Sequence, residues 1–178
     1  LVKTITTMKN SPHHTTDPEN NIPPKKAIFL TIDVTENNER KSVSYKNNQE
    51  IVDDLMSNLS TIAAFSYNIR EYALSEIIDI LHHSITLIKS MPKKLYQNVA
   101  SQLESKIYND EAEYNGKRYY YNDEEYEYDE DDKIMNVYHL LGEYRIDLND
   151  RKICIDYLKH CIKERKIGYI SDKNKGIP

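Results

Sequence analysis

The chain predicts a mainly α fold with a small β component: a helical domain that carries a β-hairpin wing. Three observations point there. Apolar residues recur at three-and-four spacing through most of 48–107 and again through 134–162, the period of a helix with one buried face. An Asn115-Gly116 pair stands among tyrosines; Asn-Gly meets the positive φ of a type I′ hairpin turn at little cost, and tyrosine suits a half-buried pleated surface. Four of the six prolines (Pro12, Pro18, Pro23 and Pro24) fall before residue 25, where they exclude regular helix.

Residues 1–25 accordingly read as a disordered tail or linker, polar and without apolar periodicity. Residues 26–47 read as a strand and hairpin segment. Ala27–Thr35 is rich in β-formers and alternates after its start, and Lys41–Tyr45 pairs back across the polar turn ENNER. Asn48–Tyr72 carries Ile51, Leu55, Leu59, Ile62, Ala63, Phe65 and Ile69 on one broad face, with a break near Ser66-Tyr67. Leu74–Met91 forms a second helix, capped by Ser75, with Ile77, Ile78, Leu81, Ile85 and Ile88 as its apolar set. Ser90 caps a third, with Pro92 in its first turn and Leu95, Tyr96, Val99, Ala100, Leu103 and Ile107 inward. The wing follows, closing a domain over 48–122.

Residues 123–132 are an acidic, tyrosine-rich linker, and 133–178 a small helical unit. In that unit Lys133–Tyr144 is a short helix. Asn149 caps a helix over Asp150–Lys166 with Ile153, Cys154, Tyr157, Leu158, Cys161 and Ile162 inward, Gly168 supplies the left-handed residue after it, and Tyr169-Ile170 opens a strand. The alternative reading of the whole is a plain helical bundle with a hairpin insertion.

Net charge is −5, hydrophobic residues make up 39 % and charged residues 30 %; this argues against nonspecific nucleic-acid binding by the whole surface. The charge is segregated. Residues 111–132 hold ten acids against Lys117 and Arg118, a net of −8, whereas 133–178 carry a net of +4. Cys154 and Cys161 lie seven apart on one helix, roughly 10.5 Å at about 1.5 Å per residue. That is too far for a disulfide, so both read as reduced thiols of a nuclear or cytoplasmic protein. No apolar run is long enough to span a membrane, and no signal peptide is visible.

Few motifs carry chemistry. His139 with Glu143, and His160 with Glu164, share helix faces at i,i+4, and Asp79 does so with His83. Nothing matches CxxC or HExxH spacing, so no metal or cofactor is expected. Cys161 and His160 point about 100° apart on their helix. With four glycines in all, no phosphate-cradling loop is available, and the chain reads as a non-enzyme. His13-His14 reads as a polar pair in the tail, and Asn58-Leu59-Ser60, a nominal glycosylation acceptor, lies inside a helix. Two binding surfaces remain. Tyr114, Lys117, Arg118, Tyr119, Tyr120, Tyr121, Tyr126 and Tyr128 suit contact with a partner protein, since tyrosine favours interfaces. Lys93, Lys94, Lys159, Lys163, Arg165 and Lys166 are the candidate contacts for nucleic acid.

A helix followed by an Asn-Gly wing, PKKLYQNVASQLESKIYNDEAEYNGKRYYY, with a second helical unit at 133–178, resembles a tandem winged-helix region. Such regions occur in the small subunits of replication-protein-A-like and telomere-capping complexes. The resemblance implies an adaptor that binds another protein within a nucleic-acid-maintenance complex. It also leaves room for direct DNA binding. A second resemblance, in composition, is to the small helical immune-evasion proteins of large DNA viruses, which bind host factors.

Overall fold

The computed structural model describes residues 7–11, 27–108 and 130–171. Within them the order is β1 (Thr7–Ser11), β2 (Ala27–Glu36), β3 (Glu39–Tyr45), α1 (Asn48–Ser66), α2 (Leu74–Ser90), α3 (Lys93–Tyr108), α4 (Glu130–Glu143) and α5 (Arg151–Glu164). The fold is mainly helical with a small β component. The expected wing at 114–121 lies outside the described residues.

The sheet is antiparallel with β2 in the centre. Leu30, Ile32 and Val34 alternate inward from β2 and are buried. Their cross-strand partners on β3 are Tyr45, Val43 and Lys41, so the inward face thins toward the turn. Asn37 and Asn38 make that turn with φ of 51° and 65°, the paired positive values of a type I′ hairpin. Thr7–Ser11 pairs with Ala27–Thr31. This part of the expected 1–25 tail is therefore a strand. A strand on the rim of a sheet is held by the backbone ladder, so its sequence need not show apolar alternation.

The long helical pattern breaks where the sequence suggested. Asn47 caps α1, accepting from the Glu50 N–H at 3.0 Å, while the Glu50 carboxylate accepts from the Lys46 N–H at 2.6 Å. At the other end Asn68 takes φ of 52°, and the Ile69 N–H reaches back to the Ala64 carbonyl. The remaining expected caps are displaced. Residue 73, not Ser75, stands at the start of α2, without a side-chain cap. Ser90 is buried and donates to the Thr86 carbonyl at 2.6 Å. Pro92 holds the chain extended before it, and the Pro92 carbonyl accepts the first α3 bond. Asp150 rather than Asn149 caps α5, accepting from Ile153. Arg165, not Gly168, is the left-handed residue at its end. Tyr169-Ile170 is not a strand.

The core is continuous. α4 packs on α1 and α3, α5 packs on α2, and β2 packs on α2. Buried residues from Leu30 to Cys161 form one cluster, in which each fully buried Leu or Ile contributes about 1.5–3 kcal/mol. Tyr96 ties α3 to the α4–α5 connection: its hydroxyl donates to the Leu148 carbonyl at 2.6 Å. Cys154 and Cys161 are both free and buried. Burial pushes the Cys154 thiol up to about 11 and raises Cys161 as well.

Candidate functional site

Three places bring polar or aromatic side chains together. The first joins the sheet to the helices. Asp54 on α1 accepts from the Tyr45 hydroxyl of β3 and from His83 Nε2 of α2, the latter at 2.9 Å. Nε2 is also 3.2 Å from the Tyr45 oxygen. A carboxylate only accepts, so Nε2 carries the proton, and Nδ1 is the basic nitrogen whenever the ring is neutral. Burial alone would raise the Asp54 carboxyl. The hydrogen bonds from His83 and Tyr45, with the charges of His83 and Lys41, outweigh it and hold the group below its ordinary value. Burial first, then the bond to Asp54, pushes the Tyr45 hydroxyl far up.

Beside this cluster lies a cleft of about 400 Å³ lined by Glu36, Asn58, Tyr72, Glu76, Asp79 and His83, among others. The Asn37 N–H donates to Asp79 at 3.2 Å, closing the hairpin tip onto α2. Asp79 thus serves the turn, and His83 serves α1. Among the described residues no group of three or more His, Cys, Asp and Glu is placed to hold a metal ion. Glu143, the other end of the His139 pair, accepts instead from the Tyr67 hydroxyl at 2.7 Å.

The second place is a broad open groove of about 760 Å³ between the end of α1, the end of α3 and α4. Tyr67, Ile69, Tyr108, Met135, Tyr138 and His139 line it. Tyr108 and Tyr138 meet edge to face at 5.5 Å, and Tyr138 and His139 do the same. The groove's lining is aromatic and aliphatic, with Glu143 and Asn136 as its polar members.

The third is cationic. Lys159, Lys163, Arg165 and Lys166 are exposed on and after α5, and Lys93 and Lys94 are exposed at the start of α3. Arg151 Nη1 donates to the Met91 carbonyl at 2.7 Å, and the same guanidinium lies 4.6 Å from the Tyr96 ring centroid. This fastens the α2–α3 junction to the start of α5. Lys89, which the sequence reading did not single out, is exposed on α2. The influence of Lys159 first, then burial, holds its ammonium below the ordinary lysine value. No sequence signal pairs residues 70 apart on different helices.

Tyr114, Lys117, Arg118, Tyr119, Tyr120, Tyr121, Tyr126 and Tyr128 lie outside the described residues. No protein family, curated protein or solved structure matches this chain. No described helix is long and apolar enough to cross a membrane.

Proposed function

We propose that the protein is a non-enzymatic interaction module of a reducing compartment, nuclear or cytoplasmic, that holds another protein. The aromatic groove carries this reading. Partly buried tyrosines with a methionine and an isoleucine, lining a groove of about 760 Å³, offer large contact area at low entropic cost. The walls are α3 and α4, the helices that the chain 109–129 connects, so the tyrosines of that connection are its neighbours in sequence. The partner expected is a protein segment presenting aliphatic side chains to the groove.

The test places a charge in the groove at Met135, which is half-buried and packs against the core, so stability is read alongside binding. Native protein and Met135→Glu are compared as affinity baits, with recovered partners identified by mass spectrometry and the thermal midpoint recorded for each. A partner lost from Met135→Glu, kept by Lys41→Gln on the hairpin and competed away by its own aliphatic segment supports the reading. Equal recovery by both baits at equal stability refutes it. Alanine at Tyr119, Tyr120 and Tyr121 then asks whether the connection contributes to the same contact.

A further inference from the structure

We propose that a cavity between the end of α4, α5 and the segment after α5 binds a free aromatic amino acid as its zwitterion. Tyr144 and Arg145 follow α4, Ile153, Asp156 and Tyr157 share one face of α5, and Tyr169 comes from the segment beyond it. Together they line about 410 Å³, a size usual for small-molecule sites. The walls are aromatic. The Tyr144 ring stacks on Tyr157 at 5.5 Å and meets Tyr169 edge to face at 4.9 Å. Of the three large apolar side chains left exposed among the described residues, two stand here, Ile153 at 40 % and Tyr169 at 61 %. One such side chain on a surface is ordinary; two at the mouth of one cavity form a patch for a ligand. Tyr157, 2 % exposed, lines the same cavity, and its hydroxyl has no hydrogen-bond partner among the described residues. Cys161, one turn further along that face, is only a weak hydrogen-bonding group. A buried polar group left so is uncommon and calls for a partner that the chain does not supply.

The charges at the cavity select the ligand. Arg145 and Asp156 both line it and both are exposed. Neither forms an ion pair with the other or with another described residue. An anionic ligand meets Asp156 as a repulsion, and a cationic ligand meets Arg145 the same way. An α-amino acid carries both charges. Its carboxylate suits the planar fork of the Arg145 guanidinium, and its ammonium suits the Asp156 carboxylate. Its side chain then falls among the tyrosines, where an aromatic ring gains from stacked and edge contacts. An indole N–H also donates to an oxygen such as the unpartnered Tyr157 hydroxyl. A nucleotide base stacks on tyrosine as well, but its phosphates bring only negative charge to Asp156. The aromatic groove shares none of these residues, so this site stands apart from the protein-binding reading.

The chain has no tryptophan, so the fluorescence anisotropy of L-tryptophan reports its binding when the full chain is titrated in. Two analogues are titrated alongside: L-tryptophanamide, whose carboxylate is neutralised as in a peptide, and indole-propionate, which lacks the ammonium. L-leucine, without a ring, is added as a competitor. Tryptophan is expected to bind most tightly. Each analogue should bind about fivefold more weakly, the upper end for an exposed charge contact, and leucine should compete poorly. Arg145→Gln is expected to bind tryptophan and its amide alike, and Asp156→Asn to bind tryptophan and indole-propionate alike. Lys41→Gln, on the hairpin, keeps the native order. Both site substitutions fall on exposed side chains, and circular dichroism melts confirm that each variant is folded. No rise in anisotropy up to about 1 mM protein, the scale of a weak complex, overturns the proposal. So does effective competition by leucine, or the native order kept by both site variants. Tryptophanamide binding as tightly as tryptophan overturns the free amino acid in favour of a protein N-terminus.

Discussion

Asp54 gives the sharpest quantitative test of how the sheet is held. Replacing it with Ala removes the acceptor of the Tyr45 hydroxyl, on a residue only 4 % exposed, and of His83 Nε2. A hydrogen bond to a charged group is worth about 1.5–3 kcal/mol, and the Tyr45 arm should show the lower half of that range. The His83 arm is worth less than about 1 kcal/mol, because the His83 and Asp54 side chains are 22 % and 30 % exposed and water competes. Asp54→Ala is thus expected to cost about 2–3 kcal/mol, or about 5–10 °C in Tm, and Tyr45→Phe about 1.5–2 kcal/mol. Urea titration followed by circular dichroism reads both. Hydrogen exchange should show protection lost first along β3. The pH dependence has a definite sign. The folded carboxyl sits below its ordinary 3.8, so the unfolded chain binds the proton more readily. The stabilisation is complete above the unfolded value and disappears as pH falls through the folded one. The gap between native protein and Asp54→Asn should shrink as pH falls below about 4. A cost under about 0.5 kcal/mol for Asp54→Ala, or a gap unchanged at acid pH, refutes the reasoning.

Tyr96→Phe leaves the Leu148 carbonyl without its 2.6 Å donor and should cost about 1–2 kcal/mol, seen as a lower urea midpoint with an unchanged m-value. At the hairpin tip, Asn38 sits at φ of 65°. Asn38→Gly is expected to be neutral or to stabilise by a few tenths of a kcal/mol, and Asn38→Val to destabilise by about 1–2 kcal/mol. The two thermal midpoints should move apart in that order.

Helices were legible because their evidence is local. Three-and-four spacing in α1, α2, α3, α4 and α5 names most of the buried residues, although Ile153 is exposed and Phe65, Ile78 and Ile162 are only partly buried, and α1 ends at the expected break near Ser66-Tyr67. Caps were legible only to within one to three residues. Asn149 and Asp150 are both good capping residues, and which one turns depends on the Tyr96 and Glu104 contacts that fix the approaching loop. The Tyr45–Asp54–His83 cluster could not be read at all. His83 has Asp79 at i−4, the natural partner on its own helix, but its bond goes to α1, and Asp79 is taken by the Asn37 N–H. A helical repeat reveals same-helix neighbours; it carries no information on which ridge of a second helix lies opposite. The turn geometry sought at Asn115-Gly116 is used at Asn37-Asn38, where two asparagines tolerate the left-handed region well enough to close the hairpin.

The hairpin's placement bears on what steadies α2. The winged-helix resemblance gives Ala27–Thr35 no position, yet Leu30 and Ile32 of that strand are 0 % exposed and seat on α2. The same helix carries His83 toward Asp54 of α1. α2 is therefore braced by Tyr45 of β3 and Asp54 of α1 on one side and by packing against α5 on the other, with its buried residues between. The described lining of the aromatic groove comes from α3, α4 and the segment after α1, and none of it from α2 or the sheet. Loosening the Tyr45–Asp54–His83 cluster should therefore lower stability and leave the groove's lining in place.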